Sequence, residues 1–226
     1  MTQVLPPHEA RELILSRIAA AAKSAGRDPG EVTLVAVSKK QPEARIEAAL
    51  AAGQRVFGEN RVQEAEARWA QRRAAHDDLE LRLVGPLQTN KADAAVALFD
   101  VIETLDREKL AKALVKAMEK TGRSPRLYVQ VNTGEEDQKA GVAPAETAGF
   151  VERMRRDYGL AIEGLMCIPP VEEPASLHFA LLARLAREAG VEKLSMGMSA
   201  DYETAVRLGA TSVRVGSALF GPRESA

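Results

Sequence analysis

The order of its elements constrains this chain more than any single motif does. Short apolar runs, rich in β-branched residues, fall at residues 32–39, 55–60, 81–85, 99–103, 127–132, 162–168, 193–196 and 212–216. Between them lie helical patterns: an N-terminal one over 7–25, then 42–52, a stretch to about 75, an amphipathic piece entered near Thr89, 106–120 with Asp106 as its cap, 144–158, 173–189, 202–208 and a last turn at 217–220. Strict alternation of this kind predicts a parallel sheet flanked by helices. Eight units in 226 residues, close to the roughly 250 typical of the fold, favour one α/β domain over 1–226, a single (β/α)8 TIM barrel. Residues 1–26 form an extra N-terminal helix expected to pack on it through Leu13, Ile14, Ile18, Ala21 and Ala22. The competitor, an open doubly wound sheet, would want a glycine-rich phosphate loop after its first strand. The residues there are SKKQPEA, and neither GxGxxG nor GxxxxGK[ST] occurs anywhere in the chain.

Charge and composition narrow the partners. Thirty-one basic against thirty-two acidic residues, with no like-charge run, argue against nucleic acid or an anionic membrane surface. The first residues, MTQVLPPHEARELIL, do not read as a signal peptide, and no stretch reaches eighteen apolar residues. A single cysteine, Cys167, excludes an intrachain disulfide and a cysteine-rich metal site. His8, His76 and His178 show no ligand spacing, so no metal is expected. A cytoplasmic monomer is the expectation.

The chemistry gathers at the end of the first run, VTLVAVSKK. In an extended strand Thr33, Val35, Val37 and Lys39 share a face, and both faces are mostly apolar, as in a strand covered on both sides. Lys39 then sits at the carboxyl end, where barrels carry their chemistry, while Lys40 points outward. After the seventh and eighth runs come Gly197-Met198-Ser199 and Gly216-Ser217-Ala218, small residues and hydroxyls in the two loops that commonly bind phosphate. Closing the barrel sets the eighth strand beside the first and turns Arg214 inward next to Lys39. Such a guanidinium needs an acceptor, either a ligand or an internal partner. An amine, a guanidinium and a phosphate cradle together fit pyridoxal 5′-phosphate, with a lysine Schiff base and a partner at the ring nitrogen.

The segments AVSK (36–39), FGEN (57–60), VGPLQTNK (84–91), K-x-G (139–141), GLMCIPP (164–170), LSMGMSADYETAVRLGAT (194–211) and VRVGSALFG (213–221) resemble the YggS/PROSC family of pyridoxal-phosphate homeostasis proteins. The resemblance spans nearly the whole chain. It implies a barrel similar to the N-terminal domain of alanine racemase, with the coenzyme on Lys39, its phosphate held by Ser199 and the Gly216 and Ser217 amides, Arg214 at the pyridine nitrogen and Asn60 near the ring. Family members usually carry histidine and an aromatic residue where this chain has Arg82 and Leu83, and often threonine at Ser217. No role for position 82 therefore carries over.

Three functions use these parts. The first is a carrier that stores the reactive aldehyde and delivers it to apo-enzymes, and the sequence favours it. An arginine stays protonated, so Arg214 leaves the ring nitrogen unprotonated and the ring a weak electron sink. The second is an amino-acid racemase, which needs an acid-base group on each face of the substrate carbon. Alanine racemases take their second group, a tyrosine, from a separate C-terminal domain, and here the sequence stops after the eighth unit; Tyr128, inward on the fifth strand, is the sole substitute. The third is a class I aldolase, which wants a carboxylate beside the lysine. Glu59 is the nearest, and by alternation only one of Glu59 and Asn60 faces inward. Elsewhere, Cys167 reads as a small core residue, Trp69 as lying on an exposed helix at a core edge, 135–137 as a solvated loop and Lys139 as a cation near the mouth.

Overall fold

The apolar runs form strands β1 (Thr33–Val37), β2 (Val56–Glu59), β3 (Glu80–Leu83), β4 (Val101–Leu105), β5 (Arg126–Val131), β6 (Ile162–Cys167), β7 (Lys193–Ser195) and β8 (Ser212–Val215). In the computed structural model, which describes residues 5–222, they run parallel and close into a barrel in sequence order. The closing seam pairs β8 with β1, setting Arg214 opposite Val35. The helices are α1 (Pro7–Ser24), α2 (Glu43–Ala51), α3 (Val62–Ala75), α4 (Ala92–Leu98), α5 (Glu108–Thr121), α6 (Thr147–Tyr158), α7 (Ala175–Glu188), α8 (Tyr202–Arg207) and α9 (Ser217–Phe220). The expected bounds at 1 and 226 lie outside the described residues. Among the described residues no helix is long and apolar enough to cross a membrane.

Alternation sorts each strand between two environments. Leu34, Ala36, Phe57, Leu81, Leu83, Ile102 and Val129 point outward into the main apolar core beneath the helices. Inside the barrel, Val35, Val37 and Val84 surround Gly58, and Val101, Tyr128 and Met166 form a separate small cluster. Helix α1 packs on α2, α8 and α9, so it lies over the seam that joins the first and last units. It buries Ala10, Ile14, Ile18, Ala21 and Ala22. Leu13, expected on this face, is exposed instead, because it lies one residue off the stripe that Ala10 and Ile14 define.

Element ends depart from the sequence reading where tertiary pairing overrides local pattern. β1 stops at Val37, short of Lys39. β4 runs from Val101 to Leu105, two residues later than expected, with a register shift against β5 between Ile102 and Leu105. Helix α5 takes Arg107 as its N-cap with no side-chain cap, so Asp106 does not cap it. A 3-10 turn, Thr89–Lys91, precedes α4.

Candidate functional site

Lys39 stands on a turn, not in the strand. The Ser38 amide donates to the Gly58 carbonyl, extending the β1–β2 pairing by one bond. The Gln41 amide then donates to the Ser38 carbonyl at 3.1 Å and closes a four-residue turn around Lys39 and Lys40. Lys40 takes φ +55, a left-handed conformation uncommon for a residue with a Cβ. Lys39 is half-buried and Lys40 exposed.

Six residues proposed from sequence, Lys39, Asn60, Ser199, Arg214, Gly216 and Ser217, line one cavity of about 270 Å³ at the carboxyl end of the barrel. Val37, Val84, Ile168 and Met198 supply its apolar wall. At one end, Ser199 Oγ accepts hydrogen bonds from the Gly216 and Ala218 amides, at 3.3 and 3.2 Å. The amides that converge on this oxygen are those of Gly216 and Ala218. Gly85 lets the next loop approach Asn60: a Cβ there would lie 2.2 Å from the Asn60 carbonyl oxygen. A second, larger groove of about 740 Å³ shares Asn60 and runs between the loops after β2, β3 and β4.

The buried Arg214 has the internal acceptors that its desolvation demands. Its Nη1 donates to Ser195 Oγ at 2.6 Å and its Nη2 to the Cys167 carbonyl at 2.7 Å. Ser195 Oγ donates onward to Glu103 Oε2 at 2.6 Å, and Glu103 Oε1 accepts from Arg82 Nη1 at 3.2 Å. Arg82 also donates from Nε to Glu80 at 2.6 Å. Burial alone would lower the Arg82 pKa, but the charges of Glu103 and Glu80 outweigh it and hold the guanidinium more firmly protonated. A chain Arg82–Glu103–Ser195–Arg214 therefore crosses the barrel interior and ends at the cavity. Sequence reasoning missed Glu103 and Ser195. Both carried a signal, a polar side chain at an inward position of a buried strand.

Glu59 does not face the cavity. It is fully buried behind β2, where its Oε1 accepts from Ser38 Oγ at 2.7 Å, Arg68 Nη1 at 2.9 Å and Trp69 Nε1 at 3.0 Å. Burial tends to lower the Arg68 pKa, and the Glu59 hydrogen bond and charge more than reverse it. Trp69 is wholly buried and packs on Phe57 with ring centroids 4.5 Å apart, deeper than the core-edge position expected of it. α3 is mostly polar and buries only Val62, Ala65 and Trp69.

Tyr128 lies in the barrel's apolar cluster and does not line the cavity; burial first of all pushes its hydroxyl pKa up. Cys167 is buried as expected, and burial pushes its thiol up to about 12. Lys139 pairs with Glu136 in the loop after β5 and lies 3.5 Å from the Pro169 carbonyl. His178 pairs with Glu173 at 3.1 Å. Among the described residues no cluster of histidine, cysteine, aspartate or glutamate could hold a metal ion.

Residues 14–224 match the family model described as alanine racemase, N-terminal domain. A protein of Pseudomonas aeruginosa named pyridoxal phosphate homeostasis protein is 41% identical over 217 residues, 93% of each chain. The protein of that name in Escherichia coli K12 is 36% identical over 221 residues, covering 93% of this chain and 94% of its own. Among solved structures, PipY of Synechococcus elongatus, with pyridoxal phosphate bound, superposes with a TM-score of 0.77 at 41% identity, over 92% of this chain and all of PipY. An alanine racemase of Clostridium difficile shares the fold at 14% identity, with a TM-score of 0.69. The chain belongs to the pyridoxal phosphate homeostasis protein family, built on the alanine racemase N-terminal barrel.

Proposed function

We propose that this chain binds pyridoxal 5′-phosphate in the cavity at the carboxyl end of the barrel, joined as a Schiff base to Lys39, and serves to hold and deliver the coenzyme within the cell. The observation that carries this reading is convergence. A lysine turn, a buried arginine, Ser199 and the Gly216-Ser217 start of α9 meet in a single, mostly apolar cavity, though they lie up to about 180 residues apart in sequence.

The donor set fits the coenzyme. The Gly216 and Ala218 amides, which here donate to Ser199 Oγ, and the Ser199 hydroxyl place donors at one end of the cavity; a phosphate, which accepts hydrogen bonds, would take the place of that oxygen as their acceptor. Arg214 only donates, so it suits an unprotonated pyridine nitrogen. Val37, Val84, Ile168 and Met198 offer apolar surface for a ring, and Asn60 stands at its edge. The chemistry the coenzyme supplies is an aldehyde carbon, which condenses with a neutral amine and releases one water. Lys39 would provide that amine, while Ser195 and the Cys167 carbonyl hold the Arg214 guanidinium in the cavity wall.

Carriage is favoured over racemisation because Tyr128, the one tyrosine considered for the second acid-base role, does not line the cavity. The aldolase reading loses its carboxylate, since Glu59 is turned away and bonded to Ser38, Arg68 and Trp69. A cytoplasmic site of action fits a buried lone cysteine, and we take the working form to be a monomer that serves apo-enzymes. The test is an absorption spectrum with added pyridoxal phosphate, then borohydride reduction and peptide mapping. A band at about 420 nm, expected of such a lysine adduct, with the label on Lys39 and its loss in Lys39→Ala, is the predicted result. No band and no adduct in the unaltered protein would overturn the proposal.

A further inference from the structure

Lys39 and Lys40 are adjacent amines on one turn, and both border a small cavity of about 170 Å³ beside the coenzyme cavity, with Asn60, Arg61 and Glu64. Chemistry alone does not distinguish them: an aldehyde meets two primary amines one residue apart, and the more exposed one is Lys40. The discriminator must lie in how the turn is held.

The turn is held from beneath. Its first carbonyl, that of Ser38, accepts from the Gln41 amide at 3.1 Å and from Arg68 Nη1 at 3.0 Å. The Ser38 hydroxyl donates to Glu59 at 2.7 Å, and Arg68 ties Glu59 to Glu43 in the first turn of α2, through a 3.0 Å bond from its Nε. Glu59 is fully buried and accepts three bonds on Oε1, while Oε2 has no hydrogen-bond partner among the described residues. Burying a carboxylate with one oxygen unpartnered is costly, and a plain packing role would be served as well by an apolar side chain. Two of the three bonds on Oε1 lead to Ser38, one from its hydroxyl and one from Arg68, which also grips its carbonyl; the third, from Trp69, anchors Glu59 to α3. With Ser38 fixed, Lys40 is kept in its left-handed conformation and Lys39 is presented to the cavity.

Resting on the coenzyme reading, we infer that Glu59 and Arg68 are positioning residues that make Lys39, and not Lys40, the lysine to which the coenzyme attaches. Without the clamp the turn's central peptide is free to rotate, and the two amines compete.

The experiment compares the unaltered protein with Glu59→Gln and Ser38→Ala. Each is incubated with pyridoxal phosphate, reduced with borohydride, digested and mapped, with circular dichroism to establish folding. The unaltered protein should carry the label on Lys39 almost alone. Glu59→Gln keeps the shape but loses the charge that binds Arg68; a substantial label on Lys40 and coenzyme affinity weaker by about tenfold are expected, as for loss of a buried charge-assisted bond. Ser38→Ala, which keeps the Glu59–Arg68 pair, covers the case in which Glu59→Gln does not fold, and should shift the label in the same direction to a smaller extent. Label confined to Lys39 in every folded variant, or shared evenly in the unaltered protein, refutes the clamp. An unaltered protein that takes no label at Lys39 and shows no coenzyme band refutes the coenzyme reading itself.

Discussion

Ser195→Ala isolates the polar chain inside the barrel, and a neighbouring serine provides the control. The Ser195 hydroxyl bridges two ions: it donates to Glu103 and accepts from Arg214, both at 2.6 Å. Removing it leaves a buried carboxylate oxygen and a buried guanidinium N–H each without their nearest partner. Hydrogen bonds to charged groups contribute about 1.5–3 kcal/mol each. The full sum is an upper bound, because Arg214 Nη1 and Glu103 Oε2 are already 4.0 Å apart and relax toward each other once the hydroxyl is gone. About 3 kcal/mol is the expected loss, which for a domain of this size lowers the melting temperature by roughly 6–12 °C. Ser212 stands opposite Ser195 in the β7–β8 pairing, is just as buried, and has a hydroxyl with no hydrogen-bond partner among the described residues. Ser212→Ala deletes the same atom from the same environment and is expected to be neutral or stabilising by up to about 1 kcal/mol. Thermal melts of both variants without coenzyme, followed by circular dichroism, give the comparison. Equal losses would refute the argument, because the difference rests only on what each hydroxyl touches.

Two further outcomes are expected. Gly85→Ala would set a Cβ 2.2 Å from the Asn60 carbonyl and displace that backbone; coenzyme affinity should fall by about tenfold or more, with the melting temperature moved less than in Ser195→Ala. Unaltered affinity in an equilibrium titration would count against the role given to Asn60. The Cys167 thiol, pushed up to about 12 by burial, stays protonated in the folded chain while the unfolded chain loses that proton near pH 8.5. The unfolded state then binds fewer protons, so stability is full below about pH 8.5 and declines above it, by up to about 1.4 kcal/mol per unit until the folded value is reached. Denaturant midpoints measured from pH 7 to 10 should show this decline, and Cys167→Ala should flatten it. A slope identical in both proteins would assign the decline to other groups.

The sequence by itself determined the architecture. β-Branched runs at regular spacing, each followed by a helical pattern, left few topologies for eight units, and the right-handed crossover that such units take closes them in order. It also determined the cast of the site, because Lys39, Ser199, Arg214 and Gly216 each stand at the carboxyl end of a strand, a place that alternation and strand order identify without coordinates. Pairing decided the rest. Glu103 and Ser195 are 92 residues apart, and Arg214 reaches the Cys167 carbonyl 47 residues away. Such bonds depend on the stagger of strands around the barrel, which no local pattern encodes. For the same reason Glu59, weighed as a catalytic carboxylate, is a clamp beneath the turn, and Trp69, on a helix that reads as polar, is wholly buried against it. Local periodicity states which face a side chain takes; only closure of the sheet states what that face meets.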